Sequence, residues 1–187
     1  QEKAVYARTL QDLQDQAEDL LVRIQAENPE LMSLVTVEPL SEQEVRELLD
    51  PRVTLLSYYL LPGEVVCWIL RPDAFQTVRI PVERDSLDAR VLEFRRTLQN
   101  LEPYESQARR LSALLLDPVR EQLSGAERLG VVPHRTLHYL SFAALFSGRS
   151  QLVETTPLFT LPSASILRTT LDKRASKQNQ QVLAVGN

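Results

Sequence analysis

The sequence predicts an α/β fold, a mixed sheet with helices packed on it, and an amphipathic helix at its amino-terminal end. Three observations predict it. Between residues 52 and 82, "RVTLLSYYLL", "EVVCWILRP" and "FQTVRIPV" are runs rich in β-branched and aromatic residues, separated by the turn signals "PG" and "PDA". On both sides of these runs, apolar residues recur at three- and four-residue steps among charges, the pattern of helices with one buried stripe. Further along, "RLGVVPH", "QLVETTPLFTLP" and "QVLAVGN" are apolar runs of strand length.

Each element has a local reason. From residue 1 to about residue 28, Val5, Leu10, Leu13, Ala17, Leu20, Leu21 and Ile24 form the stripe of a helix that needs a partner surface. Pro29 disfavours helical geometry at Asn28 and ends that helix. "SEQE" at 41–44 reads as a capping box, with Ser41 as N-cap, ahead of a short helix carrying Val45, Leu48 and Leu49. The three β-rich runs predict an antiparallel meander. "ERDSLDARVLEFRRTLQNL" then places Leu87, Val91, Phe94, Leu98 and Leu101 on one helical face, and a second helix carries Ala108, Leu111, Leu114 and Leu115. Pro118 ends or kinks that second helix. "RLGVVPH" follows as a strand, "QLVETTPLFTLP" as another, "PSASILRTTLDKR" as a helix with Ser163 at its N-cap, "ASKQNQ" as a linker and "QVLAVGN" as a last strand. No internal repeat is visible.

Composition narrows the function classes. The chain has 187 residues, 43% of them apolar, enough for one sizeable domain with a helical extension. Its net charge of -4 comes from 25 acidic and 21 basic residues dispersed along the chain, so no basic stripe points to nucleic acid. One cysteine excludes an internal disulfide, and with two histidines it falls short of a structural zinc site. The expectation is a cytoplasmic chain with no metal, no cofactor and no membrane span, since no apolar run approaches spanning length. The first residues, "QEKAVYARTLQDLQDQAEDL", are too charged for a signal peptide. Both ends read as cuts in a longer polypeptide.

The candidate chemistry is sparse. His134 and His138 are four apart, the spacing of a helical ligand pair, but "GVV" and Pro133 before them argue for a strand end entering a turn. On that reading His134 and Arg135 are exposed turn residues, while Leu137, Tyr139 and Leu140 return to the core. Cys67 lies in mid-strand between Val66 and Trp68, whereas an activated thiolate sits at a strand end or a helix N-terminus. A buried, inert cysteine is expected. Ser141, Ser147 and Ser150 lack a nucleophile-elbow setting, and the five glycines are dispersed rather than gathered into a phosphate-cradling loop.

The later residues carry a resemblance. "RLGVVPHRTLHYLSFAALF", "LVETTPLFTLPSASIL" and "QVLAVGN" resemble the consecutive motifs of the CHAT domain, the caspase-like domain associated with tetratricopeptide repeats. The matching positions are Pro133 to Leu145, Pro162 to Ser165, and Val185 to Asn187, with Ser141 standing where the family's turn usually has a proline before Phe142. Upstream, "NPELMSLVTVEPLSEQEVRELLD" resembles the bridge between repeats and domain, and the three β-rich runs resemble the family's opening hairpins.

The resemblance therefore implies three parts. Residues 1–28 would end a tetratricopeptide-like region, 29–50 would form a helical bridge, and 51–187 would be the N-terminal, pseudo-caspase half of a CHAT domain. The family's caspase-like and separase-like members cleave peptide bonds with a His in a His-Gly step and a Cys at the end of a later strand. Both lie downstream of the strand at which this chain stops, so the resemblance carries no catalytic residue onto it. What it implies is a non-catalytic scaffold or regulatory portion of a cysteine endopeptidase. Its partners would be the downstream catalytic half, the upstream repeat region, and a protein partner or substrate. The alternative is a protein–protein interaction module of a catalytically inactive CHAT protein.

Overall fold

The three β-rich runs form three strands of one sheet, the first two with apolar residues on both faces and the third buried mainly at Ile80. The structure, a computed structural model, describes residues 39–176. The helix expected over 1–28, most of the bridge before residue 39, the end of the linker and the "QVLAVGN" strand lie outside them. The meander is as expected. β1 (Val53–Leu60), β2 (Glu64–Arg71) and β3 (Ala74–Pro81) pair antiparallel, with Tyr58 opposite Cys67 and Cys67 opposite Val78.

The sheet is mixed. β4 (Arg128–Val132) adds parallel to β1, and β7 (Leu158–Thr160) adds parallel to β4, giving the order β3-β2-β1-β4-β7. β1 is thus central and covered on both faces, so its residues are buried almost without alternation, whereas edge strand β3 is exposed along most of its length.

One face carries the larger core. Leu56, Tyr58, Val65, Cys67, Ile69, Ile80, Leu129 and Val131 meet helices α2 (Arg84–Gln99) and α3 (Glu105–Leu115) there. α2 contributes Leu87, Val91 and Phe94, and α3 contributes Ala108, Leu111 and Leu115, all buried as their spacing predicts. The Tyr58 hydroxyl, sealed beneath α3, donates to the Leu115 carbonyl at 3.0 Å. Leu101 departs from the expected stripe and is 92% exposed. α2 ends at Gln99, and Leu101 takes a left-handed φ of 57°. That turn lets Glu102 N donate to Thr97 O (3.0 Å) and Leu101 N to Leu98 O (3.2 Å), the paired closure that satisfies helix-end carbonyls. Pro118 acts as expected: a 3-10 turn (Asp117–Val119) leads into the short α4 (Arg120–Leu123).

The opposite face is covered by α1 (Glu42–Leu48) and α6 (Ile166–Ser176), around Val45, Leu49, Val53, Leu55, Leu70 and Val132. The capping box forms, with Ser41 and Glu44 bonded reciprocally. Glu44 also accepts from Arg168 at 2.7 Å, tying α1 to α6, and that bond together with those from Ser41 lowers its carboxyl to about 2.

Two expected elements differ. "QLVETTPLFTLP" is not one strand: a two-residue hairpin of β5 (Phe146–Ser147) and β6 (Ser150–Gln151) leads into a helical turn, α5 (Leu152–Thr155), before β7. Gln151 and Glu154 cap that turn reciprocally, and the Gln151 amide donates to the Tyr104 hydroxyl at 2.7 Å, contacts an apolar count does not weigh. Ser163 caps the turn before α6 rather than the helix, accepting from Ser165 N at 3.3 Å, and α6 starts at Ile166.

Gly130 marks the tightest approach in the sheet. A Cβ there would lie 2.7 Å from Leu55 Cδ1 and 2.8 Å from Phe159 Cζ. Leu55 is fully buried, so its methyl can move only by displacing packed neighbours. Gly130→Ala is expected to destabilise the fold by about 1–3 kcal/mol, measured by denaturant unfolding.

Candidate functional site

The stretch from Val131 to Phe146 holds both histidines and starts where β4 stops. β1 runs on past the end of β4: the parallel pairing ends at Ser57 opposite Val132, and Leu60 N–H has no strand to bond. His134 fills that rung. Its Nδ1 accepts from Leu60 N at 3.0 Å, and its ring stacks on Tyr59 at 4.2 Å between centroids. His134 is therefore a half-buried structural acceptor and not the exposed turn residue expected. An orphan amide beside it was not legible, because its partner lies 74 residues away in sequence.

The chain then makes two 3-10 turns, Arg135–Tyr139 and Phe142–Ala144. Leu137 and Leu140 return to the core as expected; Tyr139 does not and is 54% exposed, its ring lying under the Arg95 guanidinium at 4.5 Å. In a 3-10 turn residues three apart eclipse, so Leu137 and Leu140 share the inner side and Tyr139 is turned out. Phe142 is buried and stacks on Tyr58 at 5.6 Å. Phe146 N donates to the buried Ser112 hydroxyl at 2.7 Å. Ser141 has φ -76°, within the range a proline ring imposes, so the serine found there leaves the turn's backbone unchanged.

None of this builds a reactive pair. His134 precedes the first turn and His138 lies exposed within it, so no helical face presents both. With Nδ1 accepting from an amide, the His134 proton is on Nε2. Burial holds its pKa below the usual 6.5, helped by Arg135 and His138. Among the described residues no cluster of three His, Cys, Asp or Glu could hold a metal ion.

Cys67 is the other candidate. It lies fully buried in mid-strand opposite Tyr58, on the α2–α3 side of the sheet, whereas Tyr59, which carries the His134 ring, is the next residue and points to the other side. Burial pushes the Cys67 thiol up to about 12, and the bond with Tyr58 offsets this only in part. A thiol so placed is neither ionised nor reachable. Ser141, Ser147 and Ser150 make no side-chain hydrogen bond to a histidine or carboxylate among the described residues. A cleft of about 280 Å³ between α2 and α3 is lined by Arg90, Glu93, Gln107, Arg110 and Leu111. A second, of about 260 Å³, is lined by residues including Asp117, Arg120, Phe146 and Ser147. Neither contains a nucleophile paired with a base.

Residues 105–187 match the family model of the CHAT domain, the family the motifs resemble. The match starts at the first residue of α3 and spans β4, both 3-10 turns, β7 and α6. No curated protein matches the chain. Among the described residues no helix is long and apolar enough to cross a membrane.

Two outcomes follow. Unfolded chain protonates His134 near pH 6.5 and folded chain only at lower pH, so the stability it contributes is complete above pH 6.5 and shrinks as the pH falls below it. The thermal midpoint should fall more steeply between pH 7 and 5 in the native chain than in His134→Gln, whose amide oxygen can accept from Leu60 N without titrating. Parallel curves would refute the assignment. Native Cys67 should react with an aromatic disulfide reagent about a thousandfold more slowly than the same thiol in denaturant.

Proposed function

We propose that this chain is the supporting, non-catalytic portion of a CHAT-family cysteine endopeptidase. In this reading it couples a tetratricopeptide sensor region to a core that carries the His–Cys dyad. The observation that supports it most directly is the CHAT match over residues 105–187, in a chain whose buried Cys67 and amide-bonded His134 are unsuited to attack a peptide bond. The reaction in such a core is thiolate attack on a peptide carbonyl, with His as general base and backbone amides around the oxyanion. This portion contributes a stiff sheet.

The route for coupling is physical. Phe142 and Leu137, in the turns after β4, pack into the core that α2 and α3 share with β1, so displacement of the turns and displacement of those helices are linked through close-packed contacts. Ordering of one side is favoured by ordering of the other.

The test uses a protein that joins this chain to a dyad-bearing core. Phe142→Leu keeps an apolar side chain and is expected to preserve folding, judged by circular dichroism, while lowering partner-stimulated peptidase activity severalfold. Unaltered activation in a folded variant would refute the coupling. Peptide hydrolysis by the 187-residue chain alone, lost on Cys67→Ala, would overturn the non-catalytic reading.

A further inference from the structure

The free edge of the sheet at β3 is complementary to itself. Leu61 N bonds to Glu64 O, and Val82 N bonds to Gly63 O. Hydrogen-bonded pairs recur every second residue in an antiparallel ladder, so β2 uses its even residues toward β1 and its odd residues toward β3. On β3 the even residues Ala74, Gln76, Val78 and Ile80 therefore bond inward. The N–H and C=O groups of Phe75, Thr77 and Arg79 point out from the edge. No described residue bonds to them. An edge strand eight residues long is a template for another strand, and the only charge along it is Arg79.

We infer that a second copy of this chain pairs with this edge, β3 against β3, antiparallel about a two-fold axis through Gln76. In this register Phe75 lies opposite Thr77 of the other copy, twice, and their outward groups form the new rungs. Asp73, exposed and without an ion pair among the described residues, comes opposite Arg79 of the other copy, again twice. Arg79 already touches Glu64 at 3.1 Å and is 71% exposed, which leaves its guanidinium free to bridge both carboxylates. Other registers are worse. Centring on Thr77 moves Arg79 away from Asp73 and puts Pro81, which has no N–H, on a bonding rung. The paired register also continues the half-exposed aromatic surface on that face, where Phe75 and Tyr59 are each 43% exposed and Tyr59 contacts Trp68 at 6.1 Å.

The experiment is sedimentation equilibrium on the full 187-residue chain, in which a monomer–dimer equilibrium is expected. Thr77→Pro removes one outward N–H per copy and no bond to β2, so it should raise the dimer dissociation constant about tenfold or more while leaving the circular dichroism unchanged. Asp73→Arg should weaken the dimer, and Asp73→Arg with Arg79→Asp should restore it. Gln76→Cys tests the register: directly opposite residues of a non-bonded pair have Cα atoms about 4.5 Å apart, within disulfide reach, so mild oxidation should link two copies. Val78→Cys, off the axis, should not link. A chain that is monomeric at every concentration, or a dimer that none of these changes affects, would overturn the inference.

Discussion

Both edges of β1 are occupied by other strands and both of its faces by helices, and the rest of the fold depends on keeping that strand saturated. Buried backbone amides without partners cost free energy comparable to a lost hydrogen bond, so a central strand must find a bond for every rung. β2 pairs with it from Leu55 to Leu60, but β4 pairs only from Val53 to Ser57, and the deficit falls at Leu60. His134 closes it with a side chain. An imidazole in that position has its Nδ1 lone pair engaged by the backbone it completes.

This constraint also relates the family match to the structural unit. The CHAT match begins at Glu105, yet β4 and β7 within it add to a sheet whose centre is β1 and whose far half is β2 and β3. Leu129 and Val131 of β4 share one core with Leu56 and Tyr58 of β1 and with Leu87 and Phe94 of α2. The described part of the matched stretch and residues 53–104 thus share one packed layer. Cys67, at the middle of that layer, fits the same logic: a small apolar thiol packed between Tyr58 and Val78 is a core residue whose ionisation the burial opposes.

Some of this was legible from local patterns. The capping box at Ser41, the meander, the stripe of α3, the stripe of α2 as far as Leu98 and the break at Pro118 each depend on residues within a few positions of one another, and each formed as expected. The misses share a cause. Leu101 fits the helical period but follows Asn100, where the chain leaves the helix through a left-handed residue. Tyr139 is apolar enough for a core, yet the 3-10 geometry turns it out under Arg95. The segment before β7 coils into α5 because Gln151 can cap it and reach Tyr104, a partner 47 residues away.

From its sequence alone this protein is determined to be a sheet-and-helix domain with an inert mid-strand cysteine and the turn motifs of a CHAT domain, because periodicity, turn chemistry and short motifs act over a few residues. Only the tertiary structure decided that β1 is central, that β4 and β7 join it in parallel, and that His134 serves the backbone of Leu60. Those outcomes depend on which distant groups lie beside one another once the chain is folded, and hydrogen-bond demand at a strand end leaves no mark on the residues that will meet it.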